Sequence, residues 1–146
     1  MRFLIAALLF AFSFAINLAT DVDMTVEDFD DLDEMSQAQV LTLALNDPEF
    51  VEFAMQLGDN VDDLDLDEEM LRGWFGNMWK KAKAWGKKHL TIKNIVAFGK
   101  KVVKGVKCAV GNNCMAKAKA AWKKKSLAGA KNVFNCAKKC YNAANK

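Results

Sequence analysis

Residues 68–85 read EEMLRGWFGNMWKKAKAW, and the chain changes its chemistry within this stretch. Glu68 and Glu69 are the last acidic residues of the 146, while Lys80 opens a run to the C-terminus that holds 19 lysines and no acid. Arg72 and Gly73 stand between. All 18 carboxylates lie from Asp21 to Glu69, so residues 21–72 carry −17 and residues 73–146 carry +19. The formal net charge of +3 is thus the difference between two opposed halves. Such separation makes the partner of each half the first question.

Working outward toward the C-terminus, Trp74, Phe75, Met78, Trp79, Ala82 and Trp85 recur at helical spacing, with Lys80, Lys83 and Lys87 on the opposite side. His89-Leu90-Thr91 breaks this pattern, and Thr91 is the expected cap of a second helix. There Ile92, Ile95, Val96, Gly99, Val102, Val103, Val106 and Val110 form the apolar stripe, and Lys93, Lys100, Lys104 and Lys107 the cationic one. Gly111-Asn112-Asn113 is a turn signal, followed by two Ala- and Lys-rich helices over 114–124 and 126–142, the latter with Ser126 as N-cap.

Toward the N-terminus, the acidic part has dense anionic runs at Glu27–Glu34 and Asp59–Glu69 around a helical centre, Ser36–Leu57. Ser36 with Gln39 matches a capping box, and Val40, Leu41, Ala44 and Leu45 recur at helical spacing. Asp47-Pro48-Glu49 restarts the pattern, with Asp47 as N-cap and Pro48 at the first helical position. Phe50, Phe53, Ala54 and Leu57 then make a stripe that Gly58 ends, and Phe50, Phe53 and Leu57 are available to cover the apolar face of the lysine-rich half. The charged flanks read as disordered. Before this part, Met1-Arg2 and the apolar run Phe3–Phe14 have the length of a secretory signal, too short to span a bilayer. Ser13 and Ala15 fit cleavage after Ala15, with Ala19 a second candidate.

The expected organisation is therefore all-α: a signal peptide over 1–15, an acidic propeptide over 16–72, Trp/Lys-rich amphipathic helices over 73–107 and a cysteine-stapled helical hairpin over 108–146. The basic half lacks every carboxylate and the chain has one histidine, His89, so acid–base, triad and carboxylate-metal chemistry have no residues to use there. Neither an enzyme nor a cofactor is expected. Four cysteines in a secreted segment read as two disulfides. If the last two helices fold back about Lys125, Cys114 and Cys136 each stand 11 residues from the turn, and Cys108 and Cys140 stand 17 and 15. That near symmetry favours Cys114–Cys136 nested within Cys108–Cys140, each bridge contributing about 3 kcal/mol. Regular continuation of the 92–107 helix would put Cys108 on the lysine side, so the nested pairing requires an end or bend near Gly105. Without one, Cys108–Cys114 with Cys136–Cys140 is the alternative.

An amphipathic helix with aromatic and aliphatic residues opposite lysine suits an anionic membrane surface, with each lysine contributing at most about 1 kcal/mol near it. Trp74, Phe75, Met78, Trp79, Trp85, Ile92, Ile95 and Val96 are the candidate inserting residues. Lys80, Lys83, Lys87, Lys93, Lys100, Lys104 and Lys107 are the candidate cationic face. The competing reading is that these faces pack on one another as a helical core. Sequence-specific nucleic-acid binding is not expected, because the basic residues of 73–146 are all lysine and bidentate readout uses arginine.

Gly73-Trp74-Phe75-Gly76, with Trp79, Lys80, Trp85, Lys87-Lys88-His89 and Thr91 after it, resembles the N-terminus of styelins, the cationic helical antimicrobial peptides of tunicate blood cells. The same opening, with Asn77-x-Trp79-Lys80-Lys81, is similar to that of spider-venom cyto-insectotoxins. The resemblance covers about twenty to thirty residues and implies membrane lysis. Styelin-type precursors carry their acidic piece after the peptide; here it precedes. Its end, Glu68-Glu69-Met70-Leu71-Arg72, is nearer the acidic propeptides of venom peptides, which are cut after a single arginine. The expected product is a secreted antimicrobial or cytolytic polypeptide, stored in granules or a venom gland and released from its acidic propeptide by a processing protease cutting between Arg72 and Gly73. Its expected target is anionic lipid membrane. The alternative is a venom-type toxin whose stapled hairpin blocks an ion channel.

Overall fold

The computed structural model describes residues 24–58, 60–63, 65–85 and 90–144, so the expected signal segment and Lys87 lie outside the described residues. The described chain is mostly helical, with six α-helices. Their starts are set locally. Helix α1, Glu34–Leu45, is capped by Asp33, whose carboxylate accepts from the Ser36 amide at 2.7 Å. The helix therefore begins two residues before Ser36, the expected cap, and Ser36 is buried within its first turn. Helix α2, Pro48–Gln56, starts as its sequence indicates: the Asp47 carboxylate accepts from the Glu49 and Phe50 amides, with Pro48 at the first position. Helix α3, Glu68–Ala82, is capped by Asp67.

In the lysine-rich half, α4 spans Ile95–Gly111 with Asn94 as its cap. Thr91 is not the cap. It lies in a strand, β2, Leu90–Ile92, that pairs in parallel with β1, Met24–Val26, in the register Thr25 with Thr91. This two-stranded ribbon departs from a purely helical chain. It joins three-residue segments on either side of three helices, and the Lys93 amide extends it by donating to the Val26 carbonyl at 2.8 Å. Helix α5, Met115–Lys124, ends on Lys125 in the left-handed conformation (φ 52°), and α6, Leu127–Ala144, follows at once. Ser126 Oγ accepts from the Gly129 amide at 2.9 Å. An added Cβ on Gly129 would lie 2.9 Å from that of Ala121, so only glycine allows α5 and α6 to approach this closely.

One hydrophobic core runs from Val26 to Ala137 and draws on both charge halves. Helix α1 lies at its centre, packed most extensively on α6 and then on α5, α4, α2 and α3. Nine of its twelve residues are buried, including Val40, Leu41, Leu43 and Leu45. A helix apolar on all sides belongs inside a protein, since it has no face to offer water. Burying those four side chains contributes on the order of 6–12 kcal/mol, an upper bound because the unfolded chain already hides some of that surface.

The expected boundaries at 72/73 and 107/108 fall inside α3 and α4. Helix α3 carries the charge transition along its own axis, with Glu68 and Glu69 in its first turn and Lys80 and Lys81 in its last. Both ends therefore complement the helix dipole. Among the described residues no helix is long and apolar enough to cross a membrane, and no cluster of metal-ligating side chains occurs.

Candidate functional site: the covered apolar face of the lysine-rich half

The residues singled out for membrane insertion are gathered in the folded chain, but facing inward. Phe75, Met78 and Ile95 are buried, while Trp74, Trp79, Trp85, Ile92 and Val96 are half-buried against the core. For Trp74 and Phe75 the covering residues come from the acidic half, whereas Trp85 packs on Trp122 at 5.7 Å within the basic half. Phe53 lies 4.7 Å from Trp74 between ring centroids, Phe50 lies 5.2 Å from Trp74 edge-to-face, and Phe50 lies 5.7 Å from Phe75. Phe75 meets Phe98 edge-on at 4.9 Å, and Phe98 meets Phe29 at 6.0 Å. Aromatic rings of the two halves thus meet in a single cluster. Edge-to-face pairs of this kind contribute about 0.5–1.5 kcal/mol each beyond the area they bury.

Helix α1 packs on α4, which is also covered by α6, α2 and α3. Leu41 rests on Gly105, where an added Cβ would come within 2.5 Å of Leu41 Cδ2. Leu71 rests on Gly99 in the same manner, at 2.9 Å. Two glycines in the apolar stripe of α4 are therefore seats for leucines of the acidic half. Polar bonds cross the same boundary. The Asn46 side-chain amide donates to the Ala118 carbonyl at 2.9 Å, and Lys107 Nζ donates to the carbonyls of Leu57 (2.6 Å) and Gly58 (3.1 Å), where α2 ends. Lys101 pairs with Asp30 at 3.2 Å.

Of the cationic residues, Lys80, Lys83 and Lys93 are exposed, and Lys100, Lys104 and Lys107 are half-buried with their stems along α4. Long lysine stems can cover apolar surface while the ammonium reaches polar partners, as Lys107 does. Arg72 is exposed and pairs with Glu68 one turn earlier, and Gly73 is exposed beside it. The bond between them lies in the second turn of α3. Beside it, a half-open cleft of about 440 Å³ runs between α3 and β2, with Phe75, Trp79, Leu90, Ile92 and Ile95 on its walls and Arg72, Lys80 and Lys83 at its edge. The indole nitrogens of Trp79 and Trp85 are buried without a hydrogen-bond partner. An unsatisfied buried donor costs about 1–3 kcal/mol.

Cys114 and Cys136 form a disulfide, which excludes the alternative pairing of Cys108 with Cys114. Cys108 is also disulfide-bonded, and the side chain of Cys140 lies outside the described residues. The expected break near Gly105 does not occur, because α4 runs unbroken to Gly111. At 3.6 residues per turn Cys108 stands only about 40° from Lys104 around the helix. It is nevertheless buried, because α1, α2, α3, α6 and the turn at Phe29–Asp31 cover more of α4 than one stripe.

The residues missed in the sequence are those of the cover itself: Val40, Leu41 and Leu45, with Asn46 at the helix end. Their signal was the run Ala38–Leu45, free of charge and polar only at Gln39 and Thr42. Gly99 and Gly105, within an otherwise valine-rich stripe, were its counterpart. Comparison of the chain with protein-family models, with characterised proteins and with solved structures finds no match.

Proposed function

We propose that the chain is the precursor of a secreted, cationic, membrane-active polypeptide, in which residues 73–146 act on anionic bilayers and the acidic half keeps them inactive until the Arg72–Gly73 bond is cut. One observation carries this reading: side chains that would enter a bilayer are covered in part by the acidic half. Trp74 and Phe75 lie against Phe50 and Phe53, and α4 carries Leu71 and Leu41 of the acidic half on Gly99 and Gly105. Masking in this sense is steric as well as electrostatic. The −17 of one half offsets the +19 of the other, while the apolar contact removes part of the insertion face from solvent.

The unpaired indoles of Trp79 and Trp85 support the same reading. Tryptophan is favoured at the headgroup boundary, where the ring is in an apolar layer and its N–H meets water and lipid oxygens. Leaving the core for a bilayer would satisfy both donors. The test compares dye release from phosphatidylglycerol-containing vesicles by residues 20–146 and by residues 73–146. The shorter form should release dye at far lower concentration. Equal release would rule out masking, and no release by either would rule out lysis.

A further inference from the structure

The acidic half has a second role, which rests on the proposed cut after Arg72. We propose that segment 33–58 stays bound to the lysine-rich half after that bond is broken. The groove formed by α4, α5 and α6 is then a binding surface whose partner is this chain's own acidic, apolar-centred helix pair. Cutting alone produces a two-chain complex, and release of the cationic half requires a further step, exchange of α1 for a lipid surface.

Four observations converge on this. Helix α1 has nine of twelve residues buried, six of them apolar, so leaving the groove for water would expose Ala38, Val40, Leu41, Leu43, Ala44 and Leu45 together. The groove is shaped for it, since Leu41 occupies the space above Gly105 that any other residue would fill. Polar groups reach across where each of the two helices ends, Asn46 to the Ala118 carbonyl and Lys107 to the Leu57 and Gly58 carbonyls. Finally, the cut does not touch what holds α1 and α2 as helices, because their caps, Asp33 and Asp47, act within the segment itself. The bond lies instead in α3, outside the groove that α1 fills.

All four cysteines follow Arg72, so no disulfide can tether the two pieces. Any association after cutting is non-covalent and can be measured directly. A bilayer differs from water as a competitor: it receives the apolar stripe of α4 and attracts its lysines, while repelling the carboxylates of the displaced segment. The exchange therefore has a direction only where the lipid is anionic.

The experiment uses residues 20–146 with the recognition sequence of a site-specific protease inserted between Arg72 and Gly73. After cutting, sedimentation at about 10 μM in physiological salt should show one species with the summed mass of both pieces. Adding phosphatidylglycerol vesicles should carry the cationic piece to the vesicles and leave the acidic piece in solution, whereas phosphatidylcholine vesicles should not. Leu41→Ala should speed separation of the cut chain at least ~10-fold. Should that variant fail to fold, Asn46→Ala, which removes one crossing hydrogen bond, should speed it by a smaller factor. Separation in buffer immediately on cutting would overturn the inference while leaving the lytic reading intact. So would joint binding of both pieces to the vesicles. A stable complex whose cationic piece never releases dye would instead overturn the lytic reading and leave the complex standing.

Discussion

Helices α1 and α4 are both rich in branched apolar residues, yet they are built for different surroundings. Helix α4 buries nine of its seventeen residues and keeps Lys100, Lys104 and Lys107 along one side. That side can face water whether the apolar stripe rests on protein or on lipid. Helix α1 buries nine of twelve and carries no charge after Glu34. It has a stable place only inside a core. The difference means that the acidic half is more than a counter-charge: it supplies the centre of the fold, and the lysine-rich half is arranged around it.

The contrast can be broken most forcefully at Leu41. Leu41→Asp places an unpaired charge in the centre of the core and should cost more than about 4 kcal/mol, enough to abolish a cooperative urea transition. Val96→Ala, on the half-buried side of α4, should cost less than about 1 kcal/mol. Comparable losses at the two positions would show that α1 is not the centre. The contact of Leu41 with Gly105 can be tested within the same framework. Gly105→Ala should cost about 1–3 kcal/mol from overpacking. Combined with Leu41→Ala it should cost less than the sum of the single changes, because the shorter residue frees the space that the new methyl needs. Strict additivity in chemical denaturation would remove the proposed seat.

Next in size is the disulfide. Cys114 and Cys136 are 22 residues apart in sequence, and replacing both by serine should lower stability by about 3 kcal/mol in the chain-entropy model. The loss should appear in the uncut chain, where α6 packs on both α1 and α4. Since α1 also bridges α5 and α6, some order should survive the loss of the bridge in the uncut chain and vanish when α1 is absent. Hydrogen exchange of α6 amides in the two forms would distinguish these states.

These contrasts also show what was legible in the sequence. Local signals read well: Asp47-Pro48 begins α2, Gly111-Asn112-Asn113 ends α4, and Lys125 turns the chain between α5 and α6. Competing caps were harder, because Asp33 and Ser36 both precede an apolar run and only packing decided that Ser36 is buried. The β1–β2 ribbon was not legible at all. Two three-residue segments separated by three helices leave no periodic trace, and Thr91 alone reads equally well as a cap. The largest gap concerned α1. Its helical spacing was plain, but a helix without a polar side does not say in sequence which surface surrounds it. The aromatic and valine stripes were legible as faces. What covers them was legible only for Phe50 and Phe53, which the sequence had already made candidates for the cover.

The smallest expected effect concerns α3, where the two halves meet. Gly73 and Gly76 lie in the interior of this helix, both exposed, with open space where a Cβ would be. Packing requires neither of them. Each weakens the helix by roughly 0.5–1 kcal/mol relative to alanine, and both do so beside the Arg72–Gly73 bond. Proteases cut exposed, locally opened backbone far more readily than intact helix. Gly76→Ala should therefore stabilise α3 by about 0.5–1 kcal/mol and slow cleavage after Arg72 about 2- to 5-fold. A short peptide spanning residues 68–80 provides the control, since it has too few residues to hold a stable helix in water. The substitution should leave its cleavage rate unchanged. Equal slowing in the peptide and in the folded chain would place the effect in the protease's recognition of Gly76, and the junction would then lose its role as a built-in point of opening.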